Sequence, residues 1–197
     1  MTLRRTILGL ACLAVVGLIA VGVTELPHSP SSGGTATRLT AAQANMLLAG
    51  SPPALAALHA QGGMLLGGGA RALDTRLASL KGYPVVINKW ASWCVPCKEE
   101  FGAFQRVSAE YGRRVAFIGI DSEDTKSGDA VAFLRSFPVS YPSYYDESGK
   151  LGVQITDSPS TPVTVFIAAD GRRFIHQGQY PSVEKLRHDV ERYALNA

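Results

Sequence analysis

Cysteine is scarce, with three residues in a chain of 197. That is too few for a fold stapled by several disulfides, so interest falls on the two that stand close together. An excess of one charge is also lacking. The formal net charge is +3 and no basic run with interleaved aromatics occurs, which argues against nucleic acid as a partner. The triplet Gly67-Gly68-Gly69 has no Lys-Ser/Thr after it, so it is a turn and not a phosphate loop. Histidine is sparse: His28, His59, His176 and His188 stand singly, without ligand spacing or a second cysteine pair, which argues against a zinc site. No internal repeat is visible. What is present, at 46% hydrophobic residues, is enough for one domain with an ordinary core and some tail.

Arg4 and Arg5 precede an uncharged, mostly apolar run from Thr6 to Thr24. Secretion machinery recognises this order. The run exceeds an ordinary signal core and nearly reaches spanning length. Residues 1–24 are expected to be an uncleaved signal anchor; a signal peptide cleaved near Ala20-Val21-Gly22 is the alternative. Either places the rest of the chain outside the cytoplasm, as a single-pass protein of the cell membrane or as a secreted one. Cys12 lies in the run as a small apolar residue, and Gly9-Leu10-Ala11 before it is a poor match to a lipidation site. Residues 25–61 are expected to be a flexible tether rich in Pro, Ser, Gly and Thr, with weak helical segments at Ala41–Ala49 and Pro53–Ala60. Residues 62–197 form the folded domain.

Within that domain the patterning is clear from Pro84 onward. Val85–Trp90 is a buried strand, Val95–Tyr111 a helix, and Val115–Ile120 a second strand. An acidic loop, Asp121-Ser122-Glu123-Asp124, leads to a helix over Asp129–Phe137, ended by Pro138. Tyr141–Asp146 is a short aromatic segment whose tyrosines suit packing better than a partner groove. Pro162–Ala169 is a third strand, and Asp170-Gly171 turns it into Arg173–His176. Ser182 caps a last helix with Val183, Leu186, Val190 and Tyr193 on one face. Strands alternating with helices predict parallel pairing in the first part.

The close cysteines are Cys94 and Cys97, in Trp93-Cys94-Val95-Pro96-Cys97. They fall where a strand hands over to a helix. At a helix N-terminus, backbone N–H groups and the dipole favour thiolate over thiol, and a thiolate is the attacking species in disulfide exchange. The pair could also be a static structural disulfide. Glu99-Glu100 fits a solvated first helical turn, which favours acids on its own.

The segment Asn88-Lys89-Trp90-Ala91-Ser92-Trp93-Cys94-Val95-Pro96-Cys97-Lys98-Glu99-Glu100-Phe101, followed by strand, helix and a Thr161-Pro162 strand, resembles the thioredoxin-like superfamily, in particular the membrane-tethered TlpA/ResA branch. The likeness covers about two thirds of the chain, from roughly Met64 onward. It implies an α/β thioredoxin-like fold, a central mixed β-sheet flanked by helices, with an N-terminal membrane segment. It implies a thiol–disulfide oxidoreductase that needs no cofactor beyond the redox-active Cys94–Cys97 disulfide. Cys94 matches the nucleophile, Cys97 the resolving cysteine, Trp93 the indole at the mouth of the site, and Pro96 the proline that shapes the helix start. Thr161-Pro162 matches the cis-proline whose preceding backbone pairs with an extended substrate. Glu100 matches an acid of the ResA-like group that could take the proton of Cys97. The partners implied are protein disulfides, among them apocytochrome c, and a membrane electron donor. A monomer is expected.

One departure stands out. Thioredoxins carry an acid at the position of Asn88, which cannot titrate, so Glu100 is the replacement. Lys89 stands where relatives carry an aromatic or apolar residue; alternation in a strand points it away from the thiols, toward an acid on the other face. Reduction is favoured over disulfide donation because no large helical insertion follows the second strand. A peroxidase lacks support because the Pro-x-x-x-Thr lead-in is absent. A copper or thiol carrier lacks support because Met46 and Met64 are far from the dithiol in sequence.

Overall fold

The computed structural model describes residues 39–197. Residues 1–38, with the basic start, the apolar run, Cys12, His28 and the first part of the tether, lie outside the described residues. Among the described residues no helix is long and apolar enough to cross a membrane.

Two short helices come first, α1 (Ala41–Leu48) and α2 (Pro53–His59). Thr40 and Gln43 form a reciprocal capping box at the start of α1. The sequence reading places both helices in the tether; the structure packs them into the domain. Leu55 and Leu58 are wholly buried beside Leu73 and Ile118, and Leu48 is buried as well. A helix this short carries too few apolar residues to form a stripe, which is why its pattern looks weak.

The rest alternates strand and helix: β1 (Leu65–Leu66), α3 (Gly69–Ser79), β2 (Val85–Trp90), α4 (Val95–Tyr111), β3 (Ala116–Ser122), α5 (Ser127–Ser136), β4 (Ser143–Asp146) and α6 (Lys150–Thr156). A hairpin, β5 (Val163–Ile167) and β6 (Arg173–Gln177), leads to α7 (Val183–Asp189) and a π-helical turn over Val190–Ala194. The six strands form one mixed sheet in the order β1-β4-β3-β2-β5-β6. The first four in that order run parallel, joined by helical crossovers, and β5 and β6 are antiparallel. Two differences from the sequence reading stand out. Asp121 and Ser122 continue β3 and are wholly buried, so the acidic loop starts only at Glu123. Helix α6 carries no strong apolar periodicity and escapes a pattern search.

Both faces of the sheet are covered, which is why β2 is buried at every position. Alternation sorts its residues. Val86 and Trp90 join Phe101, Phe104, Phe117 and Phe133 in one core cluster, while Val85 and Ile87 join Leu55, Leu73, Ile118 and Leu151 in the other. Trp90 stacks on Phe133 at 4.6 Å between ring centroids and meets Phe101 edge-on at 5.3 Å. Its indole N–H donates to Ser143 Oγ at 3.1 Å. Gly119 permits this approach, since a Cβ there would lie 2.1 Å from Ser143 Oγ and 2.9 Å from the indole nitrogen.

Candidate active site at the start of helix α4

Cys94 is the N-cap of α4, and its Sγ accepts from the Cys97 amide at 3.2 Å. A sulfur so placed faces the positive end of a 17-residue helix. Pro96 lies in the first turn, where its missing N–H removes no helical bond. Cys94 and Cys97 are bonded to each other, and both are buried. Trp93 beside them is 56% exposed and Val95 61%, an open apolar rim around a covered pair of sulfurs. The Trp93 indole N–H points to the Glu123 carbonyl at 3.4 Å.

The Thr161–Pro162 peptide bond is cis. Strand β5 pairs with β2 in a register that sets Val163 opposite Lys89, so Pro162 lies at the end of β2 from which the chain runs into the dithiol. Pro162 is buried, and its carbonyl accepts from the Gly178 amide at 3.0 Å. Thr161 is partly exposed.

Glu100 follows Cys97 by one helical turn, on the same side of α4. It is wholly buried, whereas Glu99 is exposed, so only the first acid of the pair is a solvated one. Asn88 Nδ2 donates to its Oε1 at 2.8 Å, and the Tyr180 amide donates to Oε2 at 2.9 Å. Burial raises the Glu100 pKa to about 7, with the two donors pulling the other way. Tyr141 stays protonated nearby, because burial and then the charge of Glu100 hold its phenol well above the usual range. The carboxyl therefore exchanges a proton near neutrality in a site closed to water. The Asn88 that cannot titrate is the group that orients the acid that can.

The turn before Cys94 is held from another strand end. Asp124 accepts from the Ser92 amide at 2.9 Å and from Ser92 Oγ at 2.7 Å. Behind it, Asp121 has no donor among the described residues within reach of either oxygen and sits against Asp124. Burial, then Asp124 and Asp146, push its pKa up to about 9, so it holds a proton at pH 7. Sequence reasoning missed this pair, because Ser92 and Asp124 meet only through the pairing of β2 with β3. Lys89 faces away from the dithiol, as alternation requires, but meets backbone carbonyls in place of an acid. His59, His176 and His188 lie apart from one another: His59 between the Ser140 and Gly112 carbonyls, His176 stacked on Tyr180, His188 beside Asp189. Among the described residues no group of three or more His, Cys, Asp or Glu is placed to hold a metal ion.

A mixed sheet with a Cys-x-x-Cys helix start and a cis-proline strand entry defines a thioredoxin-like protein. The AhpC/TSA family matches residues 69–172, more than half of the chain, and the chain belongs to that family. It is similar to the thiol:disulfide interchange protein DsbE of Allochromatium vinosum, with 34% identity covering 47% of this chain and 49% of that one. It is also similar to the thiol-disulfide oxidoreductase ResA of Oceanobacillus iheyensis, with 31% identity covering 49% and 50%. The chain thus spans about half the length of the curated relatives it matches. Among solved structures, a secreted Mycobacterium tuberculosis disulfide oxidoreductase homologous to E. coli DsbE superposes with a TM-score of 0.52 at 26% identity, covering 57% of this chain and 84% of that one.

Proposed function

We propose that the chain is an extracytoplasmic thiol–disulfide oxidoreductase that reduces protein disulfides through a Cys94/Cys97 dithiol–disulfide cycle. The observation that carries the reading is the alignment of Cys94, Cys97 and Glu100 along the first turns of α4, with the Glu100 carboxyl poised near pH 7. The names of the similar proteins support it.

In the reduced state the Cys94 thiolate, favoured by the helix N-terminus, attacks one sulfur of a substrate disulfide. The other substrate sulfur leaves as a thiolate and takes a proton. Cys97 then passes its proton to the Glu100 carboxylate and attacks Cys94 Sγ. The second substrate sulfur leaves, the substrate has gained two electrons, and Cys94–Cys97 is oxidised. Trp93 and Val95 provide an apolar rim, and the backbone before Pro162 provides an edge for an extended segment.

The apolar run of residues 6–24 and the likeness to a secreted mycobacterial disulfide oxidoreductase support a place outside the cytoplasm, anchored by the N-terminal segment. There the surroundings oxidise, so a reductant needs a membrane electron donor. Apocytochrome c, with its paired cysteines, is the substrate that the TlpA/ResA resemblance suggests. The deciding experiment is the reduction potential of the Cys94–Cys97 couple, with thiols trapped at stepped redox poise. A value near or below roughly −270 mV is expected, and one near about −120 mV would make the protein a disulfide donor. Absence of a reversible couple removes the redox reading altogether.

A further inference from the structure

Lys89 is a wholly buried cation in the central strand of the sheet. None of the ion pairs among the described residues involves it. Its Nζ instead donates to the Ser158 carbonyl at 3.0 Å and to the Pro159 carbonyl at 3.2 Å. Those carbonyls belong to the loop between α6 and β5, immediately ahead of the cis Thr161–Pro162 bond. The other bonds of Ser158 are to the loop itself and to β6: its carbonyl accepts from Thr156 Oγ1, its Oγ from the Ser160 amide, and its Oγ donates to Gln177 Oε1. Lys89 adds a tie to β2, the strand that runs into the dithiol.

The surroundings make room for this side chain. A Cβ on Gly152 of α6 would lie 2.8 Å from Lys89 Cε and 3.1 Å from Cδ. An ammonium has donors and no acceptor, which suits a pair of carbonyls. Burying it is unfavourable, and an apolar side chain of similar length would fill the space without that penalty. A cation kept here is accounted for by what it holds in place.

We infer that Lys89 is a positioning residue for the substrate groove. One side chain ties the strand leading to Cys94 to the loop delivering Thr161–Pro162, and so sets the gap that an extended disulfide-bearing segment enters. The inference rests on the exchange reading above and goes beyond it by separating substrate seating from sulfur chemistry. Lys89 touches neither sulfur, so the intrinsic reactivity of the dithiol does not depend on it.

The test compares the full chain with its Lys89→Met variant on two disulfides. Insulin presents an extended peptide; cystamine has no peptide backbone to pair with. Lys89→Met is expected to lower kcat/KM for insulin roughly tenfold, mainly through KM, because misplacement at a distance disturbs orientation. Turnover of cystamine and the reduction potential are expected to stay unchanged. Amide hydrogen exchange over residues 157–161 is expected to quicken while that of β2 does not. Equal losses on both disulfides, or no loss on insulin with unchanged exchange at 157–161, would overturn the inference. Should Lys89→Met fail to fold, Gly152→Ala crowds the same side chain, and Ser122 Oγ with it, without removing the lysine, and the same selective loss is required. If the unmodified protein turns over neither disulfide, the exchange reading fails, and hydrogen exchange at 157–161 alone decides whether Lys89 holds the loop.

Discussion

Asn88 and Lys89 are consecutive in β2, both buried and both polar, yet they serve opposite faces of the sheet. On the α4 face Asn88 orients the Glu100 carboxyl, which burial has brought to a pKa of about 7. On the α6 face Lys89 meets carbonyls; burial pushes its pKa down, against the charges of Glu123 and Asp146. Burial disfavours the charged form on both sides. What differs is the neighbour. An acid beside a cysteine can trade protons with it, while a cation on two carbonyls can only hold a loop. A single strand thereby separates proton handling from groove geometry.

The largest expected effect breaks the chemistry on both sides at once. Cys94→Ser is expected to abolish exchange, and Cys97→Ser to accumulate mixed disulfides visible on non-reducing gels. Insulin reduction by Cys94→Ser would make the assignment wrong. Next comes the α4 face alone. Glu100→Gln is expected to slow the resolving step at pH 7 by about 100-fold, the lower end for loss of a general base. Its rate profile should also lose the inflection near pH 7, read by single-turnover kinetics with a trapped mixed disulfide.

A smaller effect sharpens the role of Asn88. Asn88→Leu removes a donor to the charged carboxylate, so the pH inflection is expected to move upward; a downward move would contradict the geometry. Stability gives a further reading. The folded-state pKa of Glu100, about 7, exceeds its ordinary value of 4.5, so the folded chain binds more protons between those limits. Stability must then fall as pH rises through that window, by at most about 1.4 kcal/mol per pH unit for one group, and level off above it. Urea unfolding of Glu100→Gln should lack that slope. Asp121 carries the same sign over a window from 3.8 to about 9, so Asp121→Asn should gain stability relative to the parent as pH approaches 9. An unchanged difference between pH 6 and pH 9 would show that Asp121 does not hold its proton in the folded chain.

Much of the fold was legible because local rules agreed. The run Val85–Trp90, the Ser182 cap and the Asp170-Gly171 turn each point to the element observed. The cysteine pair and Thr161-Pro162 were legible from their motif, and the cis bond follows suit. Helices α1 and α2 looked like tether because their leucines are few, and only the packing of Leu55 and Leu58 on the sheet and of Leu48 beside Gly112 at the end of α4 shows that they belong to the domain. Asp121 looked like loop because an acid seldom continues a buried strand; it does so here with a proton in place of a partner.

From Pro84 onward local pattern alone settled the strands and helices apart from β4 and α6, the position of the dithiol at a strand-to-helix junction, and the absence of a titrating group at position 88. These are local matters of periodicity, capping and residue chemistry. Tertiary structure alone decided that Glu100 is buried and Glu99 is not, that Asn88 and the Tyr180 amide hold it, and that Lys89 reaches Ser158 and Pro159. The physical reason is that a pKa and a hydrogen bond depend on what lies across the fold. Tyr180 is 80 residues from Glu100, and Ser158 is 69 from Lys89, distances along the chain that no local pattern spans.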